Sequence, residues 1–273
     1  MKKETLKGKV VIITGASSGI GRALTLEMHR RGAHVVIGAR SADKIRELED
    51  QYTEETRRIV SLKTDVSVPA ECQALVSKAR DVFGRVDVLV NNAGISMRSL
   101  FRDTELGVIR KLMETNFWGT VNCTKFALPY LLESKGIVAG VSSIGGFKGL
   151  PGRTGYSASK FAIHGFLETL RIENLKNGLH VLIACPGFTA SNIRNTALDG
   201  KGRMQGESPR DEAGMMPAEE VARHISDAIE KRKRSLVLTT QGKMTVLMNR
   251  FFPAWLDKIV YKHFAKEEDS PLK

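Results

Sequence analysis

One short segment constrains this chain more than any other. Residues 9–14 (KVVIIT) are a largely β-branched apolar run that leads without a spacer into GASSGIGRAL, residues 15–24. A strand that ends in glycines and restarts as a helix turns its free backbone N–H groups toward whatever lies above the helix N-terminus. Gly15, Gly19 and Gly21 permit the tight bend and a close approach of the chain to an anion, with Ser17, Ser18 and Ile20 between them. The helix end adds unpaired donors and the positive end of its dipole. Strand, glycine turn and helix in that order point to an α/β architecture with a phosphate-bearing ligand at the first helix.

Behind this turn the alternation continues. Short runs rich in Val, Ile and Leu begin near Val10, His34, Arg58, Val86, Gly136, Leu179 and Ser235. Segments of helical period lie near residues 19–32, 41–53, 68–83, 104–133, 154–177 and 217–231. Unbroken apolar runs fit strands buried on both faces, and the helices between them fit right-handed crossovers. The expectation is α/β, a doubly wound Rossmann fold: a seven-stranded parallel sheet with helices on both faces. With 273 residues, 42% of them hydrophobic, one large core suffices. Residues 1–239 are therefore read as a single domain, which the motifs below make a dinucleotide-binding and catalytic one, and 240–273 as a C-terminal amphipathic extension. Residues 188–216 are too long and too polar for an ordinary connection, and a substrate lid is expected there. Its Phe188, Ile193, Leu198, Met204, Met215 and Met216 suit an apolar ligand of variable shape, or serve equally as packing.

Net charge is +12, which attracts anionic partners without choosing among them. The one dense run, KRKR at 231–234, ends a helical stretch, where cations complement the dipole. No RNA-binding signature or zinc finger accompanies it, so nucleic acid is not expected as a partner. Cys72, Cys123 and Cys185 form no CxxC pair and have no His at zinc-ligand spacing. No metal is expected, and the thiols read as small buried side chains in a reducing cytoplasm. The apolar run VVII is too short for a signal-peptide core, and no stretch approaches the roughly 18 apolar residues that span a bilayer. The expected location is cytoplasmic.

Four motifs occur in order: TGASSGIG at 14–21, Asn91-Asn92-Ala93-Gly94 after the fourth strand, Tyr156-Ser157-Ala158-Ser159-Lys160 at a helix start, and Pro186-Gly187 after the sixth strand. Together they resemble the glycine motif, NNAG segment, YxxxK and PG of the short-chain dehydrogenase/reductase family, across residues 7–238. The resemblance implies an oxidoreductase that moves a hydride between a nicotinamide dinucleotide and a small-molecule carbonyl or alcohol. It also implies Asp65 and Val66 beside the adenine, Asn92 and Gly94 on the ribose side, and Thr189, just past Pro186 and Gly187, at the nicotinamide carboxamide. The choice of dinucleotide falls to the end of the second strand, where Ala39 and Arg40 stand. A carboxylate there would bind both ribose hydroxyls and repel a 2′-phosphate, whereas Arg40, followed by Ser41, offers a planar cation suited to phosphate. NADP(H) is the expected cofactor.

Reducing a ketone with hydride requires a proton donor at the developing alkoxide, a hydrogen-bond donor to the carbonyl and a supply of replacement protons. Tyr156, Ser143 and Lys160 meet those needs. Tyr156 and Lys160 lie one helical turn apart on one face, and Lys160 is expected near both the phenol and the cofactor ribose. Lowering a phenol from a pKa of about 10 to about 7 takes roughly 4 kcal/mol, which one cation at about 4 Å supplies at an effective dielectric near 20. Ser142 competes with Ser143 for the carbonyl-polarising role, and family spacing to Tyr156 favours Ser143. Asn116, in ETNFWGT, resembles the family's fourth catalytic residue, which supports a water between the lysine and solvent.

The expected activity is thus an NADP(H)-dependent reductase of a lipophilic ketone, with a non-catalytic NADP(H)-binding sensor or scaffold as the alternative. Family members pair through the helices corresponding to 104–133 and 154–177, so a homodimer or homotetramer is expected. In the tail, Met244, Leu247, Met248, Phe251, Phe252, Trp255, Leu256, Ile259 and Val260 recur at helical spacing amid Lys243, Arg250, Lys258, Lys262 and Lys266. Pro253 divides that stretch into two helices. Packing on the parent domain or a partner subunit, a lid over the pocket, and peripheral contact with anionic membrane all remain open for it.

Overall fold

The structure is a computed structural model that describes residues 5–56, 58–189, 193–206, 214–267 and 270–273. Its centre is one parallel sheet of β1 (Val10–Thr14), β2 (His34–Ala39), β3 (Ile59–Lys63), β4 (Val88–Asn91), β5 (Ile137–Val141), β6 (His180–Cys185) and β7 (Ser235–Val237). The strands lie in the order β3-β2-β1-β4-β5-β6-β7, all seven parallel. Every residue of β1, β4 and β5 is buried, as their unbroken apolar runs require. The order reverses between β1 and β4, so the crevice beyond their carboxyl ends is where such a sheet binds its ligand.

Helices α1 (Gly19–Arg30), α2 (Ala42–Thr56) and α3 (Pro69–Phe83) follow the first three strands, and α4 (Leu106–Leu112), α5 (Gly119–Glu133), α6 (Thr154–Glu173) and α7 (Ala218–Glu230) follow the later ones. One face of the sheet packs Leu24, Met28, Val221 and Ile225 of α1 and α7. The other packs Leu75, Val76, Leu131 and Leu167 of α3, α5 and α6. Cys72, Cys123 and Cys185 are free thiols buried in that second layer.

Two features differ from the sequence expectation, and the division of the tail at Pro253 agrees with it. The stretch expected as one helix over 104–133 is divided by a π-helical turn, Met113–Trp118, between α4 and α5. Gly119 sits directly after that turn because its backbone presses on Val66, and a Cβ there would lie 2.5 Å from Val66 Cγ2. The basic run at 231–234 is more than a solvated helix end: Arg232 donates to the carbonyls of Lys135 and Gly178, tying two loops together. The tail forms α8 (Thr240–Phe251) and α9 (Pro253–Ala265), parted at Pro253. Only Leu256 and Phe264 of their large apolar side chains are fully buried, while Met244, Leu247, Phe251, Phe252, Trp255 and Ile259 are exposed. Among the described residues no helix is long and apolar enough to cross a membrane.

Candidate active site

The glycine turn is shaped by close backbone contact. Gly15 has a φ of 68°, and a Cβ on it would stand 2.8 Å from Ala93 Cα; one on Gly21 would stand 2.2 Å from the Gly15 carbonyl oxygen. No side chain fits at either place. Asn92 explains why the turn is so tight. Its amide donates to the carbonyls of Thr14 (2.9 Å) and Gly15 (3.2 Å), while Thr14 Oγ1 accepts from the N–H groups of Asn92 and Ala93 (3.0 Å each). The resemblance set Asn92 on the ribose side; it lines the cleft, and its side-chain amide also ties the end of β1 to the segment after β4 beneath the turn.

The turn opens into a cleft of about 350 Å³ lined by Gly15, Ser17, Ser18, Gly19, Ile20, Gly21, Arg40, Ser41, Asp65, Val66, Asn92 and Gly94. These are the residues assigned to the cofactor from sequence, apart from Tyr156, Lys160 and the Pro186–Thr189 segment. The cleft also holds two cations that sequence reasoning passed over, Lys44 and Lys111. Lys44 stands four residues after Arg40 in the first turn of α2, a spacing visible in the sequence. Lys111 comes from α4, and nothing but the fold brings it there. Asp65 accepts hydrogen bonds from the Ser67 N–H and hydroxyl, at 3.0 and 2.7 Å. Burial pushes its carboxyl upward, but Ser67 with the positive charges of Arg40 and Lys111 outweighs this and holds it below the usual carboxylate range. The ends of β2 and β3 therefore present cations around one ionised carboxylate.

Tyr156 and Lys160 stand on the first turns of α6, both buried. Ser143 follows β5 in extended conformation, and its Oγ accepts from the Gly145 N–H at 3.1 Å, fixing the serine at the start of a short 3-10 turn. The two adjacent serines face different surroundings. Ser142 Oγ pairs with His164 Nε2 at 2.8 Å and is buried, whereas Ser143 lines an open cavity and its hydroxyl stabilises the Tyr156 phenolate. Burial nevertheless raises the Tyr156 phenol above its ordinary value, with Ser143 and the Arg153 guanidinium pulling the other way. Lys160 Nζ donates to the Val141 carbonyl at 3.0 Å and lies 5.7 Å from the centre of the Tyr156 ring. The expected lowering of the phenol by this ammonium is therefore not the dominant effect, because the lysine is turned toward the β5 backbone. Burial instead lowers Lys160 itself to about 8.

Asn116 lies in the π-helical turn with no exposure at all. Its amide donates to the Ile95 carbonyl (3.0 Å) and Ser159 Oγ (2.9 Å), and its Oδ1 accepts from the Ile95 N–H (2.8 Å). Ser159 Oγ in turn donates to the Tyr156 carbonyl at 2.7 Å. The side chain expected to support a water is thus committed to bracing the loop after β4 against the tyrosine's turn of α6. Ser159, the middle link, was missed although it lies inside the YxxxK segment. Its burial depends on which face of α6 meets the π turn.

A second cavity, about 330 Å³, has Ser143, Pro186 and Gly187 on its inner wall. Met244, Met248, Trp255, Leu256 and Phe264 of α8 and α9 form much of the rest. The tail is held over this space by Lys148 donating to Asp257, by Asn249 donating to the Phe147 carbonyl (2.8 Å) and by a buried Arg98–Glu267 ion pair (3.2 Å). Of the residues expected to form a lid, Phe188 lines this cavity, while Ile193, Leu198 and Met204 line the cofactor cleft instead. Met216 packs on the α1 and α7 side, and residues 190–192 and 207–213 of that stretch lie outside the described residues. Thr189 is buried, its hydroxyl donating to the Gly187 carbonyl at 3.2 Å. Leu198 is held against the segment after β4, where it exchanges backbone hydrogen bonds with Ser96 and Arg98, away from the apolar cavity.

The chain matches the family described as short chain dehydrogenase over residues 9–202. It is 34% identical to dehydrogenase/reductase SDR family member 7B of Mus musculus, across 98% of this chain and 85% of that protein. It is 35% identical to 11-beta-hydroxysteroid dehydrogenase A of Arachis hypogaea, across 94% of this chain and 77% of that protein. Its fold superimposes on a short chain dehydrogenase/reductase from Burkholderia phymatum in complex with NAD with a TM-score of 0.82 at 23% identity, across 93% of this chain and 96% of the other.

Proposed function

The chain belongs to the short-chain dehydrogenase family of oxidoreductases, and from that premise we propose that it is an NADP(H)-dependent reductase of lipophilic ketones. The observation that carries this reading is the placement of the Ser143 hydroxyl on the wall of a cavity whose other lining residues are mostly apolar, with Thr239, Gln241, Thr245 and His263 among the remainder. A polar group at one end of an apolar pocket orients a carbonyl and leaves the remainder of the ligand to burial. The name of the Arachis hypogaea relative, a hydroxysteroid dehydrogenase, supports the same class of substrate.

A dinucleotide fits the other cleft, since its pyrophosphate would lie over the glycine turn where no Cβ can stand, at the N-terminus of α1. Arg40, Lys44 and Lys111 would surround the 2′-phosphate. When bound, the reduced cofactor supplies the hydride that reaches the carbonyl carbon. Tyr156 donates its proton to the carbonyl oxygen as negative charge develops there, and Ser143 donates a hydrogen bond to the same atom. Burial keeps the phenol protonated at neutral pH, the form that reduction consumes. Ser143 and the Arg153 guanidinium stabilise the phenolate left behind, and Lys160, charged below about pH 8, supplies the replacement proton.

The same reading has the protein act in the cytoplasm, where three buried free thiols persist, as a homodimer or homotetramer. The test is a pair of measurements. NADPH binds at least tenfold more tightly than NADH, and Arg40→Gln removes most of that preference, since a charge-assisted contact to phosphate contributes about 1.5–3 kcal/mol. Long-chain or polycyclic ketones then oxidise NADPH with higher kcat/KM than short hydrophilic ones. Equal affinity for the two dinucleotides, or a preference for short polar ketones, overturns the corresponding half of the proposal.

A further inference from the structure

The two tail helices carry opposite kinds of surface. Leu256 and Phe264 face inward and are buried, while Phe251 and Phe252 are 61% and 58% exposed. Such large apolar side chains grouped on one surface mark an interaction site. Residues 240–267 carry five Lys and Arg against two acids, Asp257 and Glu267. All five cations are exposed; of the two acids, Glu267 is buried against Arg98, while Asp257 is paired with Lys148 and remains exposed, so the outward charge is five cations against one paired acid. Outwardly the element is apolar and cationic. Met244, Trp255 and Ile259 belong to both regions: each lines the apolar cavity and each is at least 40% exposed, so the cavity opens through this face.

Resting on the reading of a lipophilic substrate, we propose that α8 and α9 dock the protein on an anionic phospholipid surface with the cavity mouth against the lipid. A second copy of the chain is a poorer occupant, because a two-fold contact through this face would set its cations against the same cations of the partner. A neutral membrane uses only the aromatic groups. An anionic one uses both, adding roughly fivefold in affinity for each Lys or Arg near the surface. A ketone dissolved in the bilayer would then reach Ser143 without crossing water.

The test uses the full chain without ketone or dinucleotide, so that its outcome is independent of the substrate reading. Co-sedimentation at low salt is compared between vesicles of roughly two parts phosphatidylcholine to one part phosphatidylglycerol and vesicles of phosphatidylcholine alone. The anionic vesicles capture the protein and release it at high salt. Lys258→Gln/Lys262→Gln weakens capture about 25-fold, at roughly fivefold per cation, and Phe251→Ser/Phe252→Ser weakens it at least tenfold. Both variants keep NADPH affinity, since none of the four residues lines the cofactor cleft. Absence of binding at low salt, equal binding to both vesicle types, or capture unchanged in both variants overturns the proposal. So does a smaller oligomer for Phe251→Ser/Phe252→Ser in vesicle-free buffer, which would assign the face to contact between copies. A protein that binds vesicles yet prefers short polar ketones would retain the docking surface and lose only the substrate reading.

Discussion

At the scale of single residues, the chemistry rests on two buried groups that burial shifts in opposite senses: the Tyr156 phenol upward and the Lys160 ammonium downward to about 8. Both shifts favour the neutral form. The consequence for pH follows from their order. Below about pH 8 the lysine is charged and the phenol protonated, the pair that reduction needs; above it the lysine loses its proton first. The kcat/KM for ketone reduction is therefore expected to be level through neutral pH and to fall with a midpoint near 8, while a profile level to pH 10 would show that the ammonium charge is not required. Tyr156→Phe removes only the acid: NADPH affinity stays within about twofold while turnover falls about 10²–10⁴-fold, the usual contribution of a positioned proton donor. Loss of affinity with normal turnover would contradict the assignment. In the same pocket Ser143 was distinguished from Ser142 by family spacing alone, and the physical difference, a hydroxyl spent on His164 against one facing the cavity, depends on a histidine 22 residues away.

At the scale of elements, the βα turn and the π-helical turn illustrate two degrees of legibility. The glycine turn could be read because part of its cause is local: φ at Gly15 and the approach of Gly21 to the Gly15 carbonyl are set within a few residues, although Asn92 and Ala93 also press on it from after β4. Gly21→Ala puts a methyl group 2.2 Å from that carbonyl oxygen, so it is expected to cost about 1–3 kcal/mol of stability and to weaken NADPH more than tenfold. Gly107→Ala, where nothing lies within 4 Å of the added methyl, serves as the control and leaves stability unchanged or slightly raised in the same thermal melt. The π turn was read as continuous helix, because the apolar period through 104–133 is nearly the same with or without it. Its cause lies elsewhere in the chain, in Ile95, Ser159 and Val66, whose contacts with Asn116 and Gly119 hold the turn in place. The amphipathic tail is an intermediate case: Pro253 announces the break, but the spacing of its apolar residues says nothing of which stripe covers the cavity and which remains exposed.

At the scale of the whole molecule, Trp118 and Phe161 are each 47% exposed beside the helices through which pairing is expected. Sedimentation at micromolar concentration is expected to give a dimer or tetramer, and Trp118→Ser/Phe161→Ser to shift it toward monomer; a monomeric parent chain would remove the pairing from the reading. The sequence by itself determined the seven-stranded parallel sheet, the glycine turn and the order of the motifs. Each of these is governed by short-range rules, the period of apolar residues and the backbone freedom of glycine, which act over a few residues and so leave a readable pattern. Only the tertiary structure decided that Asn92 and Asn116 serve as braces, that Lys111 joins Arg40 and Lys44 at the cofactor cleft, and that α8 and α9 join Phe188 in walling the apolar cavity. Those outcomes depend on which distant groups the closed sheet and its helices bring within hydrogen-bonding or van der Waals reach. Distance along a chain carries no record of that proximity.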